Sequence, residues 1–595
     1  MSTNKYFEDE LAALRELGAE FAHENPQLAR FLGSQSYDPD VERLLEGFAF
    51  LTSRLRQKLD DELPELTHSL IALLWPHFLR PIPSMSILEF KPKSSMASQS
   101  RRISRGVSID SKEMDGTACR FQTCFNVTVM PVELSNVTYQ STSTSYEINL
   151  CFELAAGVSF EKLGMGLGLG ISAGIGFEKV RLYLHGEPGE NQPHQQLPAS
   201  AIKAVGFAND EGLLPYPENT FIGYRLLQEY FSFPEKFLFI DVFIGVAQLA
   251  WMQQFPMARQ FELCFSFKRP LDDAIRPNLD NFRLYCTPVV NLFEQDASPI
   301  RLDQREVQYR VRANAKNPSH YEIYSIDNVE GWVQGTGLKH DYKAFESFDF
   351  EEPPGNTSET GDTDEAGKTN NAESTVFYRA RCYPAKVGRG MDTYLSFVNI
   401  NDEPAMPLTE SIAIELTCTN GAIAGKLQSG DIHNATISSP ELVSFENITR
   451  VTPALPPPMG PDLHWRLMSN MALNYTSLTN IDALRTVLST YNFSAYYDDQ
   501  VQRASQRRLE GITKITVEPT SLLFEGLPLS GMRIRMVLKE SKFSNEGEMY
   551  LFATVINEFF SLYANMNSFH QLIVRGSEQG EVYQWPARVG QQTVT

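Results

Sequence analysis

The spacing of apolar positions separates a helical N-terminal region from a long strand-rich remainder. Phe7, Leu11, Leu14, Leu17 and Phe21 recur at intervals of three and four, which places them on one stripe of a helix. Asp40 is suited to cap a second helix, along which Val41, Leu44, Phe48, Leu51, Leu55 and Leu59 extend such a stripe for five turns or more. A third helix is predicted from Pro64 through Leu66, Leu70 and Leu73, stopped by Trp75-Pro76. Residues 1–86 therefore read as a helical region. Three such helices can close a small bundle alone, but so long an aliphatic seam also suits pairing with helices of another chain. The pattern leaves both open.

From Ile87 the period changes. Short apolar runs such as SILEF, FNVTV and YEINLCFEL, divided by turn residues, predict strands about 10 residues apart in a first β-rich region, 87–299. A loop over 187–198 and a helix near Tyr224 to Phe231 interrupt it. A second β-rich region spans 300–460 and contains the tract 351–374, which has no large apolar residue and predicts a mobile acidic loop. The Pro-rich segment Pro453 to Pro461 cannot form regular ladders and marks a stiff boundary. Residues 461–595 read as α+β. Helices are predicted around Trp465 to Leu478 and Asp482 to Ser489, then a strand with Met532, Ile534, Met536 and Leu538 alternating with Arg533 and Arg535. A further helix has Phe552, Val555, Phe559, Leu562 and Met566 on one face. The expected fold class is multidomain α+β.

Composition narrows the functional classes. The 595 residues are 42% hydrophobic and 11% aromatic, enough for several cores, and 73 acidic against 52 basic residues leave a net charge of -21. Such a surface repels phosphate backbones, so neither nucleic acid nor an anionic membrane is an expected partner. Met1 to Gly18 lacks the basic start and apolar run of an export signal, and the uncharged apolar run Leu163 to Phe177 is too short to span a bilayer. Seven scattered cysteines fit reduced thiols, and the expected location is the cytoplasm.

Candidate chemistry is weak. Gly170-Ile171-Ser172-Ala173-Gly174 matches a serine-hydrolase elbow, but GFEKVRLYL follows where a helix is required. The stretch GDTDEAGKT from Gly361 has five residues between its glycines, against four in a phosphate-binding loop, and is too acidic for a triphosphate. Cys119 and Cys124 lack a second ligand pair at zinc-finger spacing. His464 and His570 read as structural, and the pairs Asp60-Asp61 and Glu351-Glu352 as solvated faces. No catalytic, cofactor-binding or metal-ligating residue is expected, and no cofactor.

Longer strings carry more information. GYRLLQEYFSFPEKFLF (Gly223 to Phe239), CTPVVNLF (Cys286 to Phe293) with Pro299-Ile300, LTCTN (Leu416 to Asn420) with Gly430-Asp431-Ile432, LHWR (Leu463 to Arg466) with LNYTSL (Leu473 to Leu478), and FFSLY (Phe559 to Tyr563) with Asn567-Ser568-Phe569 occur in this order. Together with YFEDELAALRELGAEFAHENPQLA, Asp38 to Leu44, and LLWP ending at Pro76, they resemble the TssF family, baseplate subunits of the bacterial type VI secretion system. The glycine-rich run 163–176 and the acidic loop 351–374 depart from that pattern as local insertions. The resemblance implies a non-enzymatic assembly protein that pairs with a second TssF copy and binds TssG. With TssE and TssK it would build baseplate wedges around the spike VgrG, below the tube Hcp, docked at the inner membrane through the assembled baseplate. It implies kinship with wedge proteins of contractile phage tails, so a phage or prophage tail wedge protein is one alternative; a cytosolic serine hydrolase using Ser172 is another.

Two stretches stand out as sites for such work. Leu44, Phe48, Leu51, Leu55 and Leu59 form the candidate partner interface. The six aromatics of Gly223 to Phe239 are interleaved with Arg225, Glu229, Glu235 and Lys236, so their burial requires those charges to be paired or at an edge. Core packing is favoured over an interface patch there.

Overall fold

The computed structural model describes Gly47, Ala49, residues 68–93, 100–142, 145–160, 179–186, 212–215, 222–244, 254–267, 277–302, 307–332, 339–347, 376–384, 390–405, 407, 411–435, 443–458, 463, 464, 466, 467, 469, 480–524, 527–544, 546–563, 568–578, 580 and 582–589. The first two expected helices, apart from Gly47 and Ala49, the glycine-rich run 163–176 and the acidic loop 351–374 lie outside these. Contacts divide the chain into two units, 1–76 with 458–472, and 77–457 with 473–595. In the first, residues 68–74 are helical, as are 463–464, 466–467 and 469. Ile71, Trp75, Leu463 and Leu467 are buried there, and the His68 and His464 rings meet edge to face at 6.3 Å.

The second unit is a multidomain α+β fold built on several sheets. Its six-stranded antiparallel sheet runs in the order Ile432–Ala435, Ser108–Met114, Thr117–Thr123, Cys286–Val290, Met85–Pro92, Val443–Asn447. The sheet thus takes strands from both of the β-rich regions expected at 87–299 and 300–460. Met85–Pro92 is hydrogen-bonded on both edges, with Met85 opposite Val290 and Phe90 opposite Phe445. Its first six residues are all buried, as both faces of a central strand are when covered. Thr117–Thr123 alternates instead, burying Thr117, Cys119, Phe121 and Thr123 and presenting the residues between, the period of two of a half-exposed strand.

Two three-stranded sheets share a second core. One orders Gln260–Phe267, Tyr146–Leu154 and Val132–Ser141, the other Phe282–Leu284, Lys179–Leu184 and Phe239–Phe243. Leu150, Phe152, Leu182, Leu184, Ile240 and Phe261 fill the space between, with Phe152 stacked on Phe261 at 4.8 Å. A third core holds Val329, Leu395, Ile414, Leu416 and Cys418, where the sheet of Phe293–Asp296, Ser411–Thr419, Glu322–Trp332 and Lys339–Asp341 packs on that of Gln308–Arg310, Met391–Val398 and Phe377–Pro384.

Buried asparagines tie these layers together. Asn291 follows the central strand Cys286–Val290, and Asn420 follows Ser411–Thr419. The Asn291 amide donates to the Arg120 carbonyl at 2.7 Å and to Asn420 Oδ1 at 2.8 Å. Its Oδ1 accepts from Thr419 Oγ1 at 2.9 Å and from the Asn420 backbone N–H at 2.7 Å. Asn420 Oδ1 also accepts the Arg120 N–H at 3.1 Å. All four hydrogen-bonding sites of the Asn291 side chain are used, in a site closed to water. Asn447 repeats the device, accepting the Ile432 N–H and donating to the Gln428 and Thr449 carbonyls, each at 2.9 Å.

The C-terminal sheet orders Ile512–Phe524, Leu527–Leu538, Phe569–Gly576 and Val582–Gln584. The first two strands form an antiparallel hairpin; the second and third are parallel and joined through the Glu546–Tyr563 helix, as a parallel pair requires. Phe552, Val555 and Phe559 are buried as their spacing predicts, together with Ile556 and Phe560. Ile534, Met536 and Leu538 are inside, while Met532, at the outer end of that row, is 38% exposed. Gly531 stands opposite Phe569, where a Cβ would run into the Phe569 carbonyl and ring. The Ile481–Thr490 helix starts at Asn480, whose side chain accepts from the N–H groups of Asp482 and Ala483. Its Arg485 donates to the Leu509 and Ile512 carbonyls at 3.0 and 2.9 Å, holding the end of the Asp499–Glu510 helix against the start of the hairpin. Among the described residues, the Pro-rich stretch meets the strands as an isolated bridge, in which Ile82 and Leu455 exchange N–H to carbonyl bonds at 2.8 and 2.9 Å.

Two outcomes follow from these polar contacts. Asn291→Leu removes both donors and both acceptors while stranding Asn420, and should cost roughly 2 to 4 kcal/mol in chemical denaturation. His570 is fully buried, its Nε2 3.2 Å from Asn557 Oδ1; burial, aided by the Arg588 charge, lowers its pKa to about 4. A depressed histidine stabilises the neutral form, so its contribution is present above the unfolded pKa of 6.5 and is lost as pH falls towards 4. The stability difference between wild type and His570→Gln should accordingly shrink or reverse between pH 6.5 and 4 in pH-dependent melting.

Candidate functional site

The expected seam, Leu44, Phe48, Leu51, Leu55 and Leu59, lies outside the described residues. Of its surroundings, Gly47 and Ala49 are helical, and Ala49 is buried. Ser172 and the stretch from Gly361 lie outside as well.

The aromatic stretch is in view. It folds as the Ile222–Ser232 helix, a 3-10 turn Pro234–Leu238 and the strand Phe239–Phe243. Pro234 opens the turn, where its missing N–H costs nothing. Tyr230, Phe233, Phe237 and Phe239 are buried, and Phe231 is half-buried. Tyr230 packs 5.8 Å from Phe237 and 6.4 Å from Phe552 of the C-terminal helix, while Phe239 meets Tyr183 at 5.0 Å and Phe125 at 5.4 Å. The stretch is core.

The charges within it are handled as burial demands. Glu229 and Lys236 are both enclosed and form a direct ion pair, one helical turn joined to the 3-10 turn. Glu229 also accepts the Leu213 N–H at 2.8 Å and faces Arg225 at 3.5 Å. Lys236 lies over the Phe237 ring at 5.4 Å. At the strand, Asp241 receives Lys179 at 2.9 Å and Arg181 at 2.6 and 2.9 Å. Burial would raise the Asp241 carboxyl, but the Arg181 and Lys179 contacts outweigh it and hold it below the usual range. Glu235 differs. Its Oε2 is buried without a hydrogen-bond partner, and burial pushes its carboxyl upward.

Glu235 lines a cavity of about 790 Å³. Tyr183, Tyr230, Phe231 and Phe239 contribute to its wall from the first β-rich part, Arg450 follows the six-stranded sheet, and Arg508 and Glu548 come from the C-terminal helices. Arg508 Nε binds Glu548 Oε1 at 2.6 Å.

Outside the aromatic stretch, apolar surface gathers on the hairpin Ile512–Phe524 with Leu527–Leu538. The first of these strands has no further neighbour in its sheet among the described residues, and Leu523 is 76% and Leu522 42% exposed. The sequence signal for this was the run SLLFEGLPL, apolar on both sides of Glu525-Gly526, unusual for a surface turn.

Cys119 and Cys124 are buried thiols; burial pushes Cys119 up to about 11, well away from a reactive thiolate. Among the described residues no three His, Cys, Asp or Glu side chains converge as a metal site would require.

The described part of the chain is a set of layered sheets joined by buried polar contacts, and its kinship gives it its class. The chain matches the type VI secretion system TssF family over residues 1–592. It belongs to that family and is a baseplate subunit of the system. It is 29% identical to "Type VI secretion system component TssF1" of Pseudomonas aeruginosa, over 98% of both chains. Its fold is similar to a chain of the cryo-electron microscopy structure of the TssK-TssF-TssG baseplate subcomplex, with 26% identity, a TM-score of 0.71 and coverage of 93% of this chain and 99% of that one. A chain of the type VI secretion baseplate complex shares the fold over the full length of both, at 24% identity and a TM-score of 0.56.

Lys236→Met would leave Glu229 as an under-compensated buried charge and should cost roughly 3 to 5 kcal/mol. Lys236→Met with Glu229→Gln should recover part of that loss, a coupling that a double-mutant cycle of urea unfolding measures. Tyr230→Ala with Phe231→Ala should yield little soluble protein.

Proposed function

We propose that this chain is a rigid scaffold of the baseplate wedge that acts by protein contact, with no bond chemistry of its own. In this reading it pairs with a second copy and binds TssG and TssK. With TssE it helps to organise a platform around the VgrG spike on which sheath and Hcp tube are built. The wedge works in the cytoplasm, docked at the inner membrane through the assembled baseplate. The observation that carries the reading is the likeness, over nearly all of both chains, to a chain of the TssK-TssF-TssG subcomplex. Among the described residues no helix is long and apolar enough to cross a membrane, which accords with attachment through partners.

The long stripe Leu44, Phe48, Leu51, Leu55 and Leu59 is the part we assign to a bundle with TssG helices. A buried leucine contributes roughly 1.5 to 3 kcal/mol, and a charge placed in an apolar seam costs more. Leu51→Asp with Leu55→Asp should therefore abolish co-purification with co-expressed TssG, while circular dichroism of the β-rich part stays unchanged. Retention of TssG by the double variant would remove the seam from the interface.

A further inference from the structure

One face of the C-terminal sheet carries cations without counter-charges. The sheet turns His570, Leu572 and Val574 inward, where His570 meets Asn557 of the Glu546–Tyr563 helix. The pleat therefore turns Gln571, Ile573 and Arg575 to the opposite face, and the register sets Arg533 beside Gln571, Arg535 beside Ile573 and Val537 beside Arg575. Lys514 stands on the other side of Val537. Lys514, Arg535 and Arg575 are exposed, and Val537 and Ile573 are half-buried, so this face is open to solvent. Arg535 has a carboxylate, Glu518 at 3.2 Å, but among the described residues Lys514, Arg533 and Arg575 form no ion pair. Arg533 is half-buried, and its Nε donates to Gln571 Oε1 at 3.1 Å, which fixes the guanidinium plane. The terminal nitrogens of that fork have no acceptor among the described residues, and they suit a carboxylate.

In a chain of net charge -21, a face with more cations than carboxylates is the exception, and it attracts anions at short range. Its pattern selects the kind of anion. Val537 lies between Lys514 and Arg575, and Ile573 lies beside Arg535, so cations alternate with aliphatic surface. Single-stranded nucleic acid uses aromatic platforms for its bases, which these positions do not offer, and the rest of the chain repels its phosphates. A protein segment with carboxylates beside apolar side chains matches both parts of the pattern. Arg533 and Arg535 are about 6 to 7 Å apart along their strand, close to the roughly 5 to 6 Å between helix positions i and i+4. Helices are also what α+β folds lay on an open sheet face.

We propose that the outer face of the C-terminal sheet docks an acidic amphipathic helix of a partner protein. Its carboxylates pair with Arg533, Arg575 and Lys514, and its apolar side chains cover Val537 and Ile573. This surface is independent of the stripe from Leu44 to Leu59, so the two assignments can fail separately.

Fluorescence anisotropy of a labelled amphipathic peptide, with glutamates at i and i+4 and leucines on its apolar side, titrated with the full chain, tests the face. Saturable binding is expected, weakening as salt is raised. The same peptide with glutamine in place of glutamate should bind at least ten-fold more weakly. Arg533→Gln with Arg575→Gln should lower affinity for the glutamate peptide at least ten-fold at an unchanged melting temperature. Arg533→Glu with Arg575→Glu should instead prefer a peptide with lysines in place of the glutamates. Equal affinity in the double glutamine variant, equal binding of the glutamine peptide, or no saturable binding overturns the proposal. Displacement of the glutamate peptide by an equal concentration of a single-stranded oligonucleotide also overturns it, since the face would then hold any polyanion.

Discussion

The structure depends on a polar clip in an apolar setting. Asn291 sits where one sheet hands the chain to the next, and it meets Asn420 at the equivalent exit from Ser411–Thr419. Because every donor and acceptor of Asn291 is matched, the two exits are fixed in distance and in angle, which apolar contact alone does not do: hydrophobic burial is non-directional, and a leucine would accept many placements. Asn447 does the same for the strand pair that completes the six-stranded sheet. A scaffold whose task is to hold surfaces in register needs such directional joints between its layers.

Much of the local structure was legible along the chain. YEINLCFEL alternates and forms the Tyr146–Leu154 strand; Phe552, Val555 and Phe559 fall at helical spacing and are buried on the Glu546–Tyr563 helix. Asn480 caps where the periodic segment starts. The sheet partners were not legible, because pairing carries no local signal: Phe90 meets Phe445 across more than three hundred intervening residues. The asparagines were visible inside the strings CTPVVNLF and LTCTN, yet their common destination appears only once the strands are laid side by side.

The aromatic stretch shows the same limit. Its interleaved charges required partners, and Glu229 with Lys236 supply each other at close range in sequence, so this part could be anticipated. The cavity could not. It is assembled from the segment around Tyr183, the aromatic stretch, the stretch after Val443–Asn447 and two C-terminal helices, none of which announces the space between them. Glu235 looks like any other acidic residue until the volume beside it is known.

The sheet order also bears on how the molecule is made. Met85–Pro92 pairs on one side with Cys286–Val290 and on the other with Val443–Asn447. At a ribosomal pace of about 5 to 20 residues per second, the second of those strands emerges on the order of 20 to 70 s after Met85–Pro92. For that interval an apolar strand has an open edge in the nascent chain, the kind of surface that chaperones hold and that neighbouring nascent chains can capture. The connectivity of the sheet thus builds a wait into the making of this subunit, which ends only when residues 443–447 have been synthesised.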